Sequence, residues 1–302
     1  MNEDAAHHSA AATVGALLVV RDEERLIRRC LESFADVVDQ IVVIHDGDCR
    51  DRTLEICREF TDRIYVRPFQ GSSDFHKPFG LSKLTSEWVL EIDADEFLSD
   101  ATRERLGALV RDPSVDCYLF KWPLWDGAAG RNIEWISKRS LFRRNKAERV
   151  GLVHGLWRIS GRIVSTDLVL EHRPQHGNQR LRLLVSEELR RARLAAAQYC
   201  QDPDQWPRFR APRLAPRLRR YSLRWPLPAL LVDQARLAVR VTQSSFLRNH
   251  AFSIVVFRRL ISIAVHRAAM HYYIWRFKKG AASWPVQLER SWIPPKGERR
   301  AR

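Results

Sequence analysis

Apolar residues fall along the chain in two alternating registers. Continuous runs at 16–20 (ALLVV), 41–44 (IVVI) and 88–92 (WVLEI) have the length and β-branched content of fully buried strands. Between the first two the spacing turns helical, with Leu26, Ile27, Cys30, Leu31 and Phe34 on one face. A weaker run, IYV at 64–66, reads as a further strand ahead of a helix-like stretch over 75–86. Strands buried on both faces and alternating with amphipathic helices need a parallel sheet covered on each side, joined by right-handed crossovers. The expected fold class is therefore α/β, a Rossmann-like and mostly parallel sheet with helices on both faces. Residues 115–172 read differently: DCYLFKW, RSLFRR, WRISG and STDLVLEH predict strands, turns and long loops that extend the sheet with antiparallel strands.

After His172 the pattern changes again. Asn178 can cap a helix in which Leu181, Val185, Leu189, Ala192, Ala196 and Tyr199 form an apolar stripe. Six prolines then interrupt residues 202–228, which also carry seven arginines, so one long helix cannot form there. Helical period returns from about 230 to 277, where Arg258, Arg259, Ser262, His266 and Arg267 make a narrow polar stripe on an otherwise apolar helix. The chain thus divides into a start without fixed structure (1–12), an α/β domain (13–174) and a basic, mainly helical region (175–302).

Charge follows that division. Residues 1–174 carry 25 Lys/Arg against 29 Asp/Glu, a net of −4, and residues 175–302 carry 26 against 7, a net of +19. A cationic region interleaved with Trp, Tyr and Leu suits an anionic membrane surface, touched peripherally. No nucleic acid is expected, since no nucleic-acid-binding motif is present and such a binder has no use for acidic clusters. Arg258 and Arg259 break the best apolar stretch, 251–265, short of a membrane span. The first dozen residues hold two carboxylates and no signal-like apolar core, so the expected location is the cytoplasm, at the inner face of the cell membrane. Five scattered cysteines with no C-x-x-C pair suit reduced thiols better than bridges or a zinc site. With 302 residues and 45% hydrophobic content, wholesale disorder, collagen-like repetition and a disulfide miniprotein are excluded.

Three strand candidates end in polar clusters: Arg21, Asp22, Glu23 and Glu24 after the first; His45, Asp46, Asp48 and Asp51 after the second; Asp93, Asp95 and Glu96 after the last. In an open parallel sheet these carboxyl ends lie side by side, and ligands bind in the crevice beyond them. So many carboxylates need a counter-ion, and oxygen donors select a hard one, Mg²⁺ or Mn²⁺, with open positions for phosphate oxygens. Asp22 and Asp51 also suit plain capping roles. Asp93 and Asp95, one residue apart directly after a buried strand, are costly to bury without a shared cation.

The order VGALLVVRDEERLIRRCLESF, IVVIHDGDCRDRT, EWVLEIDADEFLS resembles the family 2 glycosyltransferases of GT-A fold, especially the branch with bacterial lipopolysaccharide-core glucosyltransferases. RSLFRR, VGLVH and LVLEHRP resemble that branch's later motifs, and the likeness covers about residues 13–174. It implies a metal-dependent, inverting transfer of a sugar from a nucleotide-sugar donor to a cell-envelope glycan or glycolipid acceptor. By the same resemblance Arg21, Glu23, Asp46, Asp48 and Asp93 belong to the nucleotide-sugar site. Asp95 matches the metal-binding aspartate of the D-x-D motif, and His172 a further ligand. Two positions depart from the pattern: Asp22 stands where Asn is usual, and Gly155 where the branch has Glu after Val-His. If that Glu is the base, Glu96 and His154 are the candidates left to take the acceptor proton, beside Asp95 as the third catalytic residue. The rival is a degenerate GT-A domain acting as a binding module for anionic lipid or nucleic acid.

Overall fold

A computed structural model of the chain describes residues 12–70, 72–126, 130–150, 156–174, 181–201 and 254–280, with isolated positions between 228 and 235. Its contacts divide into two compact units, 1–149 with 157–177, and 150–156 with 178–302.

The first unit is built on an eight-stranded sheet. Its strands are β1 (Val14–Val20), β2 (Gln40–Asp46), β3 (Ile64–Arg67), β4 (Trp88–Glu91), β5 (Glu96–Leu98), β6 (Cys117–Asp126), β7 (Arg131–Arg143) and β10 (Ile163–His172), in spatial order β3-β2-β1-β4-β7-β6-β10-β5. β3, β2, β1 and β4 are parallel neighbours, β7 runs antiparallel between β4 and β6, β10 is parallel to β6, and β5 closes the edge antiparallel to β10. The short strands β8 (Ala147–Val150) and β9 (Leu156–Ile159) form a separate two-stranded sheet. The α/β class and mixed, mostly parallel sheet expected from the apolar runs are what the chain adopts.

Alternation along β1 explains why both faces are covered. Val14, Ala16, Leu18 and Val20 join the core under helices α1 (Ile27–Glu32) and α4 (Asp100–Leu109), with Ile27, Cys30, Leu31, Phe34 and Leu106 all inaccessible. Leu17 and Val19 point the other way, to Val42, Ile44, Phe142 and Trp157, beneath α3 (Lys77–Lys83). Gly80 of α3 lies against β1 so closely that a β-carbon there would overlap Leu17 Cδ1. The helix expected over 75–86 is the shorter α3, preceded by one 3₁₀ turn at Ser73–Phe75. After β2 the loop leads into α2 (Thr53–Arg58).

In the second unit the described elements are two helices, α5 (Leu181–Gln201) and α6 (Ile254–Lys278). They pack on each other through small and apolar residues, among them Ala192, Ala195, Ala196, Ala269, Met270, Ile274 and Phe277. His266 Nδ1 lies 3.0 Å from Glu188 Oε2, and Lys278 Nζ lies 3.4 Å from the Cys200 carbonyl. Both pairings are 78 residues apart, so the helices run parallel. Part of the polar stripe read from the sequence is thereby spent inside the pair, because Ser262 and His266 both hydrogen-bond Glu188. Among the described residues no helix is long and apolar enough to cross a membrane. The start 1–11, the proline-rich stretch and Asn178 lie outside the described residues.

Candidate active site

Because β2, β1 and β4 are parallel neighbours, the three acidic clusters that follow them share one edge of the sheet. The loops after β1 and β2 are laced together by their own backbone. Arg50 N donates to Asp22 Oδ1 (2.8 Å), Glu24 N to Asp51 Oδ2 (3.1 Å), Glu23 N to Thr53 Oγ1 (2.6 Å) and Arg52 N to Glu24 Oε2 (3.2 Å). Asp51 also accepts from Thr53 N (2.9 Å), so it acts as the turn-former its spacing allows. Burial pushes the Glu23 carboxyl up to about 7, and the negative charges of Asp95, Asp51, Asp93 and Asp22 push the same way.

Register explains the centre of the site. β4 and β7 pair Trp88 with Arg143 and Leu90 with Leu141, and continuing that antiparallel register brings Lys138 opposite Asp93. Lys138 Nζ donates to Asp93 Oδ2 (2.9 Å) and to Glu96 Oε1 and Oε2 (2.5 and 2.6 Å). Lys77 Nζ is 3.7 Å from Asp93 Oδ1 and forms a close ion pair with buried Glu91. Burial raises the Asp93 carboxyl, but the ammonium groups of Lys138 and Lys77 outweigh it and hold the group well below the usual carboxylate range. Glu91 in turn accepts from Trp157 Nε1 at 2.7 Å.

Glu96 is 1% exposed. Its carboxylate accepts from the Asp93 backbone N (2.8 Å), Trp122 Nε1 (2.6 Å) and Lys138. Burial pushes the group up to about 7, against the pull of Lys138. Enclosed in this way, Glu96 braces the turn that carries Asp93 and Asp95, and its two oxygens are taken up inside the fold rather than offered to an acceptor.

The edge pairing of β10 with β5 sets His172 opposite Glu96 and so beside Asp95. His172 Nε2 lies 3.2 Å from Asp95 Oδ2, with the two side chains 12% and 30% exposed. The imidazole stacks on Trp122 at 4.0 Å between ring centroids, which fixes its plane. Arg173 N donates to the Asp95 carbonyl (2.8 Å). One donor atom from the β4–β5 turn and one from β10, partly open and beside further carboxylates, fit a divalent cation.

The remaining sequence candidates are placed as follows. The Arg21 guanidinium lies 3.8 Å over the Phe69 ring, at the rim. Asp46 is buried, and its Oδ1 accepts from Gln70 N (2.7 Å) and lies 2.8 Å from His76 Nε2, so that oxygen serves the loop. Asp48 is exposed in the loop after β2. His154 and Gly155 lie outside the described residues. His76 and Lys77, at the start of α3, are both buried, and Lys77 reaches Glu91 and Asp93. Lys138, Glu91 and Trp122 escaped the sequence reading. Lys138 and Trp122 sit in a strand pair whose register no local pattern reveals, whereas a lone Lys inside an apolar helix start was a visible signal for Lys77.

Comparison with known proteins bears on the same segment. The family model described as Glycosyl transferase family 2 matches residues 16–159. An uncharacterized glycosyltransferase of Rickettsia typhi is 28% identical over 106 residues, 35% of this chain and 36% of the relative. The lipopolysaccharide core biosynthesis glycosyltransferase LpsC of Rhizobium meliloti is 29% identical over 102 residues, 32% of this chain and 37% of the relative. The match thus spans little more than a third of the length of these curated relatives. Among solved structures, glucosyl-3-phosphoglycerate synthase from Mycobacterium tuberculosis, in complex with Mn²⁺ and uridine-diphosphate-glucose, is 14% identical with a TM-score of 0.40, covering 60% of this chain and 79% of that one. Residues 16–159, which carry the strand order and acidic edge described above, are thus similar to glycosyl transferase family 2.

Proposed function

We propose that this chain transfers a sugar from a nucleotide-sugar donor to a cell-envelope glycan or glycolipid, with inversion at the anomeric carbon. The observation that carries the reading is the Asp95–His172 pair, set beside a lysine-neutralised Asp93 at the carboxyl edge of a family 2 sheet. Asp95 and His172 would hold Mg²⁺ or Mn²⁺. Such an ion supplies charge stabilisation to the diphosphate as it leaves.

The chain's own residues do the rest. Asp93, fixed by Lys138 and Lys77, faces the donor as an ionised acceptor of sugar or ribose hydroxyls. Arg21 and Glu23 close the nucleoside side, with Asp46 and Asp48 in the neighbouring loop. Glu96 positions the Asp93–Asp95 turn. In the displacement the acceptor oxygen bonds to the anomeric carbon, the bond from that carbon to the phosphate oxygen breaks, and the hydroxyl proton passes to a base, for which His154 is our candidate.

The test is the melting temperature of the full chain with UDP, GDP, dTDP, ADP and CMP, each with and without Mg²⁺ or Mn²⁺. A ligand at about 100 times its dissociation constant adds about 2.7 kcal/mol of stability. We expect one nucleotide to stabilise the chain only with metal, and its sugar conjugates then to be turned over. Asp95→Ala should lower turnover by on the order of 10²-fold or more while leaving the fold intact. If no nucleotide shifts the midpoint at millimolar ligand and metal, the transferase reading fails and a binding role takes its place.

A further inference from the structure

We infer that Asp22, His45 and Cys49 form a second cation site, separate in chemistry from Asp95–His172, for a borderline or thiophilic divalent ion of the zinc class. The three residues offer one ligand atom each, and these atoms lie within 4.8 Å of one another. His45 is 0% exposed at the end of β2, paired with Val20 of β1. Its Nδ1 is 2.7 Å from the Gly47 carbonyl, a partner that can only accept, so Nδ1 carries the proton. The opposite nitrogen, Nε2, therefore carries the lone pair, which accepts from Asp22 N–H at a long 3.4 Å and lies 3.8 Å from Asp22 Oδ1, a contact a metal ion would replace. A ring nitrogen, a carboxylate oxygen and a sulfur thus converge, with the Arg21 guanidinium 3.9 Å from the far oxygen of Asp22.

The surroundings have the form of a ligand shell. A metal-bound histidine characteristically donates its other N–H to a carbonyl or carboxylate, which fixes tautomer and ring plane. The Gly47 carbonyl does this here. Asp22 Oδ1 is held by Arg50 N, and Asp22 itself adopts φ 51°, the one non-glycine residue in the left-handed region among the described residues. Zinc bound by nitrogen, oxygen and sulfur at about 2.0–2.3 Å needs donor atoms roughly 3.4–3.7 Å apart for tetrahedral geometry. The Nε2–Oδ1 separation is already close to that. Cys49 must turn its Sγ away from Asp51, whose carbonyl it now meets at 3.2 Å and whose Oδ1 at 3.5 Å, both weak thiol contacts. On binding, the Cys49 thiol loses its proton to solvent as the sulfur–metal bond forms, and the fourth position stays open. The ion would clip the β1 loop to the β2 loop. Nitrogen and sulfur donors set this site apart from the hard site at Asp95.

Cobalt reports thiolate ligation directly. The full chain, stripped with chelator and supplied with millimolar Mg²⁺ to fill the Asp95 site, is titrated with Co²⁺ and followed by near-ultraviolet and visible absorption. We expect a thiolate-to-cobalt charge-transfer band that saturates at one ion per chain and is displaced by Zn²⁺. Cys49→Ser should abolish the band, and Asp95→Ala should leave it. No band in the full chain, or a band that survives Cys49→Ser, overturns the proposal. A measurement without substitution guards against a misfolded variant: Zn²⁺ should slow alkylation of Cys49, mapped by mass spectrometry, by about tenfold or more. Unchanged alkylation of Cys49 at saturating Zn²⁺ also overturns it.

Discussion

Lys138 shows how one side chain can hold a site together. It lies between Asp93 and Glu96, and its charge is the reason both carboxyl groups can stand so close with one almost wholly enclosed. Replacing it by Met removes the cation and leaves two carboxylates facing each other. Breaking a buried pair from one side costs about 3–5 kcal/mol. For a domain of this size that lowers the melting temperature by roughly 6–20 °C. Adding Glu96→Gln to Lys138→Met should restore part of the loss, and calorimetry of the two variants checks both statements. An unchanged midpoint for Lys138→Met would show that the pair contributes nothing to the fold. At this scale the sequence shows the acids and hides their partners. Asp93, Asp95 and His172 stand out from strand ends, while Lys138 meets Asp93 only through the β4–β7 register, 45 residues away along the chain.

At the scale of elements, the parallel half of the sheet is legible because each strand is one apolar run and each helix one apolar face. The β6–β7 pair is less so, since its register shifts twice, between Tyr118 and Leu119 and between Leu124 and Trp125. Helix α3 is legible as a helix and illegible as a wall of the site, because its contact depends on Gly80 letting it approach Leu17. Gly80→Ala should overpack that contact. Ala favours the helix by up to about 1 kcal/mol, but crowding a well-packed core costs about 1–3 kcal/mol, so net destabilisation is expected in a urea titration. A midpoint at or above that of the parent would mean that Leu17 yields freely.

The same scale applies to α5 and α6. Burial raises the Glu188 carboxyl, but hydrogen bonds from His266 and Ser262 and the charges of His266 and Arg191 outweigh it and lower the group below its usual 4.5. A depressed carboxylate stabilises the fold above its unfolded value, and that contribution is lost as the pH falls through the folded value. The helical signal in circular dichroism should therefore melt earlier as the pH drops below about 4.5. Glu188→Gln should flatten that acid dependence. At neutral pH it should cost about 1.5–3 kcal/mol, the range for hydrogen bonds to a charged group. A variant whose acid dependence matches the parent would remove Glu188 from the account.

At the scale of the whole chain, charge division is the feature that sequence alone shows most plainly. The net of −4 over 1–174 against +19 over 175–302 needs no structure to count. What it serves is our proposal of docking on an anionic membrane surface, and the α5–α6 pair narrows the part of the chain that can do so. Ser262 and His266 are engaged with Glu188, so they cannot also line a headgroup-facing stripe. The arginines of 202–228, namely Arg208, Arg210, Arg213, Arg217, Arg219, Arg220 and Arg224, are then the stronger candidates. Each basic residue held near an anionic bilayer contributes about 1 kcal/mol. The full chain should pellet with vesicles rich in phosphatidylglycerol and stay in solution with pure phosphatidylcholine. Added salt should release it, since screening shortens from about 10 Å at 0.1 M to about 3 Å at 1 M. Substituting all seven arginines by Gln should leave the melting temperature of the first unit unchanged and abolish pelleting. If the seven-fold variant pellets like the parent, these arginines are not the docking surface. If the parent does not pellet at all, the +19 serves some other anion and the membrane proposal is wrong.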